Sequence, residues 1–288
     1  MDIIDSHCHA GHGDGLTGPW DTSAPLGAYL RRARAAGITR TVLLPAFHSD
    51  YAVANREVAG IVASRPGRFY GYAMVNPVRD AGLVHEMVGH AVREWGFCGI
   101  KVHRHDGRIS REICEAARRF SVPVLYDVMG EATVVELLAT EYPQVAFIVP
   151  HLGSFSDDWG AQRTIIEQLV AHPNVHTDTS GIRRFDLLAE AVARAGPEKL
   201  LFGTDGPWLH PGLELAKVRA LGLPPSAERL IVAGNWLRLT AQARARWPRR
   251  PGSRARIRFA VPRPAGGRPA PDRADPWAPK PQAATGPA

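Results

Sequence analysis

"VPVLYDVMGEATVVELLATEYPQVAFIVPH", residues 122–151, decides the fold. It opens on an apolar run of strand length (122–128), passes through "EATVVELLATEYP", where apolar residues recur at helical spacing, and returns to a second apolar run (145–151). Both runs are apolar almost throughout rather than at alternate positions. Strands covered on both faces read this way, and a helical segment between two of them is the pattern of a parallel crossover. The alternation continues outward. Before it lie "DIIDSH" (2–7), "RTVLLPAF" (40–47), "FYGYAMVN" (69–76) and "FCGIKVH" (97–103); after it lie "NVHTDTS" (174–180) and "KLLFGTD" (199–205). Between them stand amphipathic stretches such as "LGAYLRRARAAG", "VANREVAGIVASRPG", "ISREICEAARRF" and "FDLLAEAVARAG", most closed by the Gly or Pro that stops a helix. A last helix or helix pair is expected from about Pro211 to Ala243.

Eight strand-then-helix units predict an α/β protein of the (β/α)8 TIM-barrel kind, a single domain over residues 1–243. An open doubly wound sheet fits less well, because no Gly-rich phosphate loop follows the first strand. At 288 residues the chain is long enough for one such barrel, which typically needs about 250. Residues 244–288, rich in Pro, Arg, Ala and Gly and without periodicity, are expected to be a disordered tail.

The formal charge of +7 points at first to an acidic partner. Its location removes that reading. Of 35 Lys and Arg, 11 lie from residue 243 onward, with 2 of the 28 Asp and Glu, so the rest carries 24 basic against 26 acidic residues. No nucleic acid is therefore expected at the barrel; the partner is a small-molecule substrate, and a homodimer is left open. Three scattered cysteines, Cys8, Cys98 and Cys114, make no disulfide framework or CxxC pair. The opening "MDIIDSHCHA" lacks the basic and apolar regions of a secretory leader, and no apolar run reaches the roughly 18 residues of a membrane span. A cytoplasmic location is the expectation.

A barrel of this kind carries its chemistry at the C-terminal ends of its strands. His7 and His9 stand at the end of the first, and alternation puts them on one face with Cys8 on the other. Lys101, His103 and His105 end the fourth, Asp127 the fifth, His151 the sixth and Asp205 the eighth. These are metal ligands and proton carriers by type. Of 12 histidines only His85, His90 and His172 fall clearly on helical stretches.

The set "DSHCH", "GIKVH", "IVPHLG", "HTDTSG" and "LLFGTDGPW" resembles the amidohydrolase superfamily, specifically its amidohydrolase-related branch of metal-dependent hydrolases and nonoxidative decarboxylases. The likeness runs in order over residues 1 to 240 and leaves the tail outside. It implies that His7 and His9 bind one divalent ion, commonly zinc, that His151 is a ligand or proton-transfer group, and that Asp205 binds the ion and shuttles a proton. Asp178 has an implied supporting place near the site.

One position departs from the resemblance. Where the branch usually has a strand-five histidine ligand, in a run like "PVLIH", this chain has "PVLYDV", which puts Asp127 there. A carboxylate can replace the imidazole and makes the site harder and more anionic, which favours Mn or Fe somewhat more. Two other readings stay open: His103 reaches in instead, or Asp127 only orients Lys101 or His103. Lys101 is read as a substrate-facing or supporting group rather than a bridging carbamate, and with Arg104 it suits an anionic substrate. Loop residues Trp20, His48, Trp208 and His210, together with Phe47, Met129, Phe155 and Trp159, suggest a small planar or carbonyl-containing acid.

The expected activity is hydrolysis of a small carbonyl compound, an amide or lactone, by a metal-activated water, with Asp205 and His151 moving the proton. Nonoxidative decarboxylation of a small unsaturated or aromatic acid on the same site is the alternative. A barrel that binds a ligand but has lost catalysis is the alternative of another class.

Overall fold

The computed structural model describes residues 2–17, 23–155 and 157–248. Its elements, in order, are β1 (Ile4–His12), β2 (Ser23–Ala24), α1 (Leu26–Ala35), β3 (Arg40–Pro45), α2 (Tyr51–Ser64), β4 (Phe69–Gly71), β5 (Ala73–Met74), α3 (Val84–Trp95), β6 (Ile100–His103), α4 (Arg111–Phe120), β7 (Val124–Asp127), α5 (Val134–Glu141), β8 (Phe147–Val149), α6 (Trp159–Ala171), β9 (Val175–Asp178), α7 (Phe185–Ala195), β10 (Leu200–Leu201), α8 (Pro211–Ala220), α9 (Pro225–Arg229) and α10 (Asn235–Arg246). Each of the eight expected strands is present.

Parallel pairing runs β1 to β3 to β4, and again from β5 through β10 in chain order. The two arcs join within the third strand, where only Tyr72 separates β4 from β5. Tyr72 N donates to Leu43 O at 3.1 Å and Ala73 N to Gly99 O at 2.9 Å, so the chain passes from one neighbour to the other there. At the opposite seam Ser6 N donates to Phe202 O at 2.9 Å, Thr204 N to His7 O at 3.3 Å and His9 N to Gly206 O at 2.6 Å. These bonds close the eight strand positions into a TIM barrel.

A buried carboxylate reinforces the seam. Asp5 accepts from His7 N (3.1 Å), Thr204 N (3.0 Å), Thr204 Oγ1 (2.6 Å) and the Tyr29 hydroxyl. Four donors on one fully buried side chain fix the chain on either side of His7 against the chain leading to Asp205.

The helical layer follows its sequence pattern. In α4, Ile113, Cys114, Ala116, Ala117 and Phe120 are buried, while Arg111, Arg118 and Arg119 face solvent. Val102, Val124, Ile148 and Leu201 fill the strand layer, and the three cysteines are free and buried. Among the described residues no helix is long and apolar enough to cross a membrane.

Two expected boundaries shift. His172 lies one position past α6 and caps it through its amide, which donates to Gln168 O. The last helix runs to Arg246 rather than stopping at Ala243, because Trp247 continues its packing and lies 6.4 Å from Phe120 between ring centroids. The tail expected to be disordered lies, from residue 249 on, outside the described residues, as does Trp20.

Candidate active site

A cavity of about 430 Å³ opens at the C-terminal ends of the strands. Its polar wall is His7, His9, Lys101, His103, Asp127, His151 and Asp205; its apolar wall is Phe47, Met129, Phe155, Trp208 and Leu209. That volume suits one small molecule.

Three imidazoles are aimed by their outer nitrogens. His7 Nδ1 lies 2.8 Å from Asp178 Oδ2, His9 Nδ1 2.8 Å from Pro45 O and His151 Nδ1 2.7 Å from Ser180 O. A carbonyl or an ionised carboxylate can only accept, so each Nδ1 carries the proton and each Nε2 turns a lone pair toward the cavity. Burial, with the charge of Lys101, pushes the His7 pKa down, and burial pushes that of His9 down to about 3, which keeps both rings neutral.

The inner atoms converge. Ligand atoms of His7, His151 and Asp205 lie within 4.8 Å of one another, and Asp205 Oδ1 is 3.4 Å from His7 Nε2 and 3.6 Å from His9 Nε2. His7 Nε2 is buried and has no hydrogen-bond partner among the described residues. Such an orphaned lone pair is costly unless a cation completes it. The donor set, imidazole nitrogen with carboxylate oxygen and outer partners holding the rings, therefore fits a divalent ion.

Backbone strain gathers at the same place. His151 (φ 59°), Leu152 (φ 52°), Met129 (φ 47°) and Asp205 (φ 52°) occupy the left-handed region. Each such residue costs on the order of 1–3 kcal/mol, which its surroundings must hold in place.

The wall built by β6 and β7 is different in kind. Their register sets His103 opposite Asp127 and Lys101 opposite Leu125. Lys101 is 1% exposed and, among the described residues, no carboxylate oxygen lies within 4.0 Å of its ammonium. Burial pushes its pKa down, and Asp127 and Asp205 oppose that shift from further away. Asp127 Oδ1 accepts from Met129 N at 3.0 Å, and its Oδ2 lies 3.2 Å from His103 Nε2 and 3.8 Å from His151 Nε2.

The cavity thus gathers seven of the ionisable groups named from sequence, with Asp178 directly behind His7. Trp208 lines it too, its ring 4.9 Å from that of His9 and its Nε1 donating to Ser23 O at 3.3 Å. Four others do not line it. Arg104, in the turn just past β6, bonds instead to Glu131 (2.6 Å). His105 holds Thr17 O through Nε2 at 3.1 Å and packs edge-on to Phe47. His48 and His210 serve turns, accepting from Asp50 N (2.8 Å) and Gly212 N (3.2 Å).

Ser180 and Leu209 escape the sequence reading. Ser180 Oγ lies 3.0 Å from His151 Nδ1 and 3.3 Å from His7 Nδ1 and donates to Asp178, so one hydroxyl links two imidazoles. The Asp-x-Ser spacing at the end of strand seven is the signal for it.

The profile of the family described as amidohydrolase matches residues 4–247, and the chain belongs to that family. No curated protein matches the chain. Solved structures share the fold. A 2,6-dihydroxybenzoate decarboxylase from Rhizobium is 18% identical with a TM-score of 0.65, over 84% of this chain and 99% of that one. A dihydroxybenzoic acid decarboxylase from a Polaromonas species, with bound manganese and the inhibitor 2-nitroresorcinol, is 19% identical with a TM-score of 0.64, over 85% and 98%. A protein described as a 2-pyrone-4,6-dicarboxylic acid hydrolase from Pseudomonas putida is 21% identical with a TM-score of 0.62, over 84% and 98%.

Proposed function

We propose that this protein is a metal-dependent hydrolase of a small, planar, negatively charged carbonyl compound, an amide or lactone. One observation carries the reading: inward lone pairs of His7, His9 and His151 meet Asp205 in a cavity that also holds a buried lysine with no carboxylate oxygen within 4.0 Å of its ammonium. His7, His9, His151, Asp205 and Asp127 are the residues to hold the ion, zinc by preference, with manganese or iron admitted by the extra carboxylate. When bound, such an ion polarises a carbonyl oxygen and acidifies water.

The chain's own groups supply the rest. Lys101 pairs with the anionic group of the substrate, which relieves the cost of burying the ammonium alone. Phe47, Phe155 and Trp208 give faces for a flat ring, and with Met129 and Leu209 they keep bulk water out. Asp205 takes a proton from water; His151, its ring 5.4 Å from that of His7 between centroids, either holds the ion through its inward Nε2 or, left off the ion, accepts that proton from Asp205 at Nε2 and passes it to the leaving group. His48, His105, His210 and Arg104 shape the loops around the mouth.

The apolar wall favours a second reading, nonoxidative decarboxylation, since excluding water costs a decarboxylase nothing. The dihydroxybenzoate decarboxylases and the pyrone hydrolase among the structural relatives support one reading each. Chelated protein reloaded with zinc or manganese, assayed against lactones and anilides of aromatic and pyrone acids and against hydroxybenzoates, separates them. Ion-dependent ring or amide opening without carbon dioxide is expected. Carbon dioxide release from hydroxybenzoates alone reverses the order, and binding without turnover leaves the ligand-binding barrel.

A further inference from the structure

His103 and Asp127 face each other in register on neighbouring strands. The amide of His105 donates to His103 Nδ1 at 3.1 Å, so that nitrogen holds the lone pair and the proton sits on Nε2. Neither ring nitrogen then has a lone pair to offer an ion. Nε2 instead lies 3.2 Å from Asp127 Oδ2, within ion-pair reach, while the Met129 amide donates to Oδ1 at 3.0 Å. The ring is itself packed, edge-on to Phe47 at 4.9 Å between centroids.

The amide on one oxygen and the imidazole beside the other bracket the carboxylate. Oδ2, 3.8 Å from His151 Nε2, keeps a lone pair for a further partner. In the common arrangement an outer carboxylate orients an inner imidazole; here an outer imidazole orients an inner carboxylate. The need is physical: aspartate is shorter than histidine, and its carboxylate rotates on a broad, nearly two-fold torsion.

We propose that His103 is a positioning residue that steers Asp127, the two together standing in for the imidazole that the fifth strand lacks at the ion site. The proposal rests on the reading of Asp127 as a ligand.

The test is a cycle of variants of the full chain, stripped with chelator and titrated with zinc against a chromophoric competitor. His103→Ala should weaken zinc binding about 10–100-fold, the usual effect of losing an outer partner. In an Asp127→His background, where a rigid imidazole needs no steering, His103→Ala should shift affinity by no more than about 2-fold, as independent sites do. His103→Gln, which keeps an N–H at a similar reach, should restore most of the parent affinity, and melting of the metal-free forms reports on folding.

Equal losses in both backgrounds would mean that His103 only supports the fold, and overturn the proposal. A loss on Asp127→Ala with none on His103→Ala overturns it while leaving Asp127 a ligand. No loss on Asp127→Ala removes the ligand reading and the proposal together. If Asp127→His binds no zinc, failure of His103→Gln to recover the affinity lost in His103→Ala overturns it.

Discussion

Around His7, His9 and His151 each ring is tied by its outer nitrogen, to Asp178, to Pro45 O or to Ser180 O, and the strand beneath the first two is locked by Asp5 and the bonds that close the barrel. On the β6–β7 side a lysine stands without a carboxylate within 4.0 Å, beside an aspartate held by a histidine and an amide. The first wall shares its hydrogen bonds with barrel closure, so its geometry comes with the fold. The second hangs from two strands already paired along their length, so its residues can change without opening the barrel. Selectivity is therefore to be sought at Lys101 and Asp127 rather than at His7 or His9.

The largest expected effect lies on the first wall. The parent should co-purify with one divalent ion per chain after expression in metal-supplemented medium, and Asp205→Ala should lower affinity by more than about 100-fold, beyond what loss of an outer partner costs. Elemental analysis and competitive titration measure both. A metal-free parent, or an Asp205→Ala chain that keeps its ion, would erase the distinction between the walls.

A smaller and different effect is expected on the second. Lys101→Met should weaken binding of benzoate to the zinc-loaded protein by about 30-fold or more, the scale of losing one partner of a buried charge pair. Benzamide, of the same shape without the charge, should bind both forms alike, and zinc affinity should not fall, since Lys101 repels rather than attracts the ion. Calorimetry with the two ligands decides. Equal losses for benzoate and benzamide would make Lys101 a packing residue.

Both walls were legible from sequence to the extent that they depend on strand ends. Apolar runs punctuated by Gly and Pro are a local signal, so all eight strands could be placed, and with them His7, His9, Lys101, Asp127, His151 and Asp205. What depends on side-chain direction was harder. Arg104 lies in the turn just past β6 and is taken up by Glu131, a partner 27 residues on that its basic charge beside Lys101 did not announce. His48 and His210 look like site residues by type, yet both serve the backbone of a following turn, which only coordinates reveal. The break of the third strand at Tyr72 and the link through Ser180 depend on contacts far apart in the chain, and no local pattern announces them.

The smallest expected effect concerns the end of the chain. Every residue of either wall lies at or before Leu209, and the last described packing is that of Trp247, with Arg93 5.4 Å over its ring and its amide donating to Ala243 O at 2.8 Å. Removing residues 249–288 should therefore leave zinc affinity, benzoate binding and melting temperature unchanged. Cutting at the boundary read from sequence, after Ala243, also removes Trp247 and the last turn of α10. That should cost about 1–3 kcal/mol, a fall of several degrees in melting temperature for a barrel of this size. Zinc affinity should still hold in the shorter form, because the cut lies at the helical layer and not at the seam. If the longer form already lost zinc or benzoate binding, residues beyond 248 would belong to the cavity, and the two walls would not be the whole of the site.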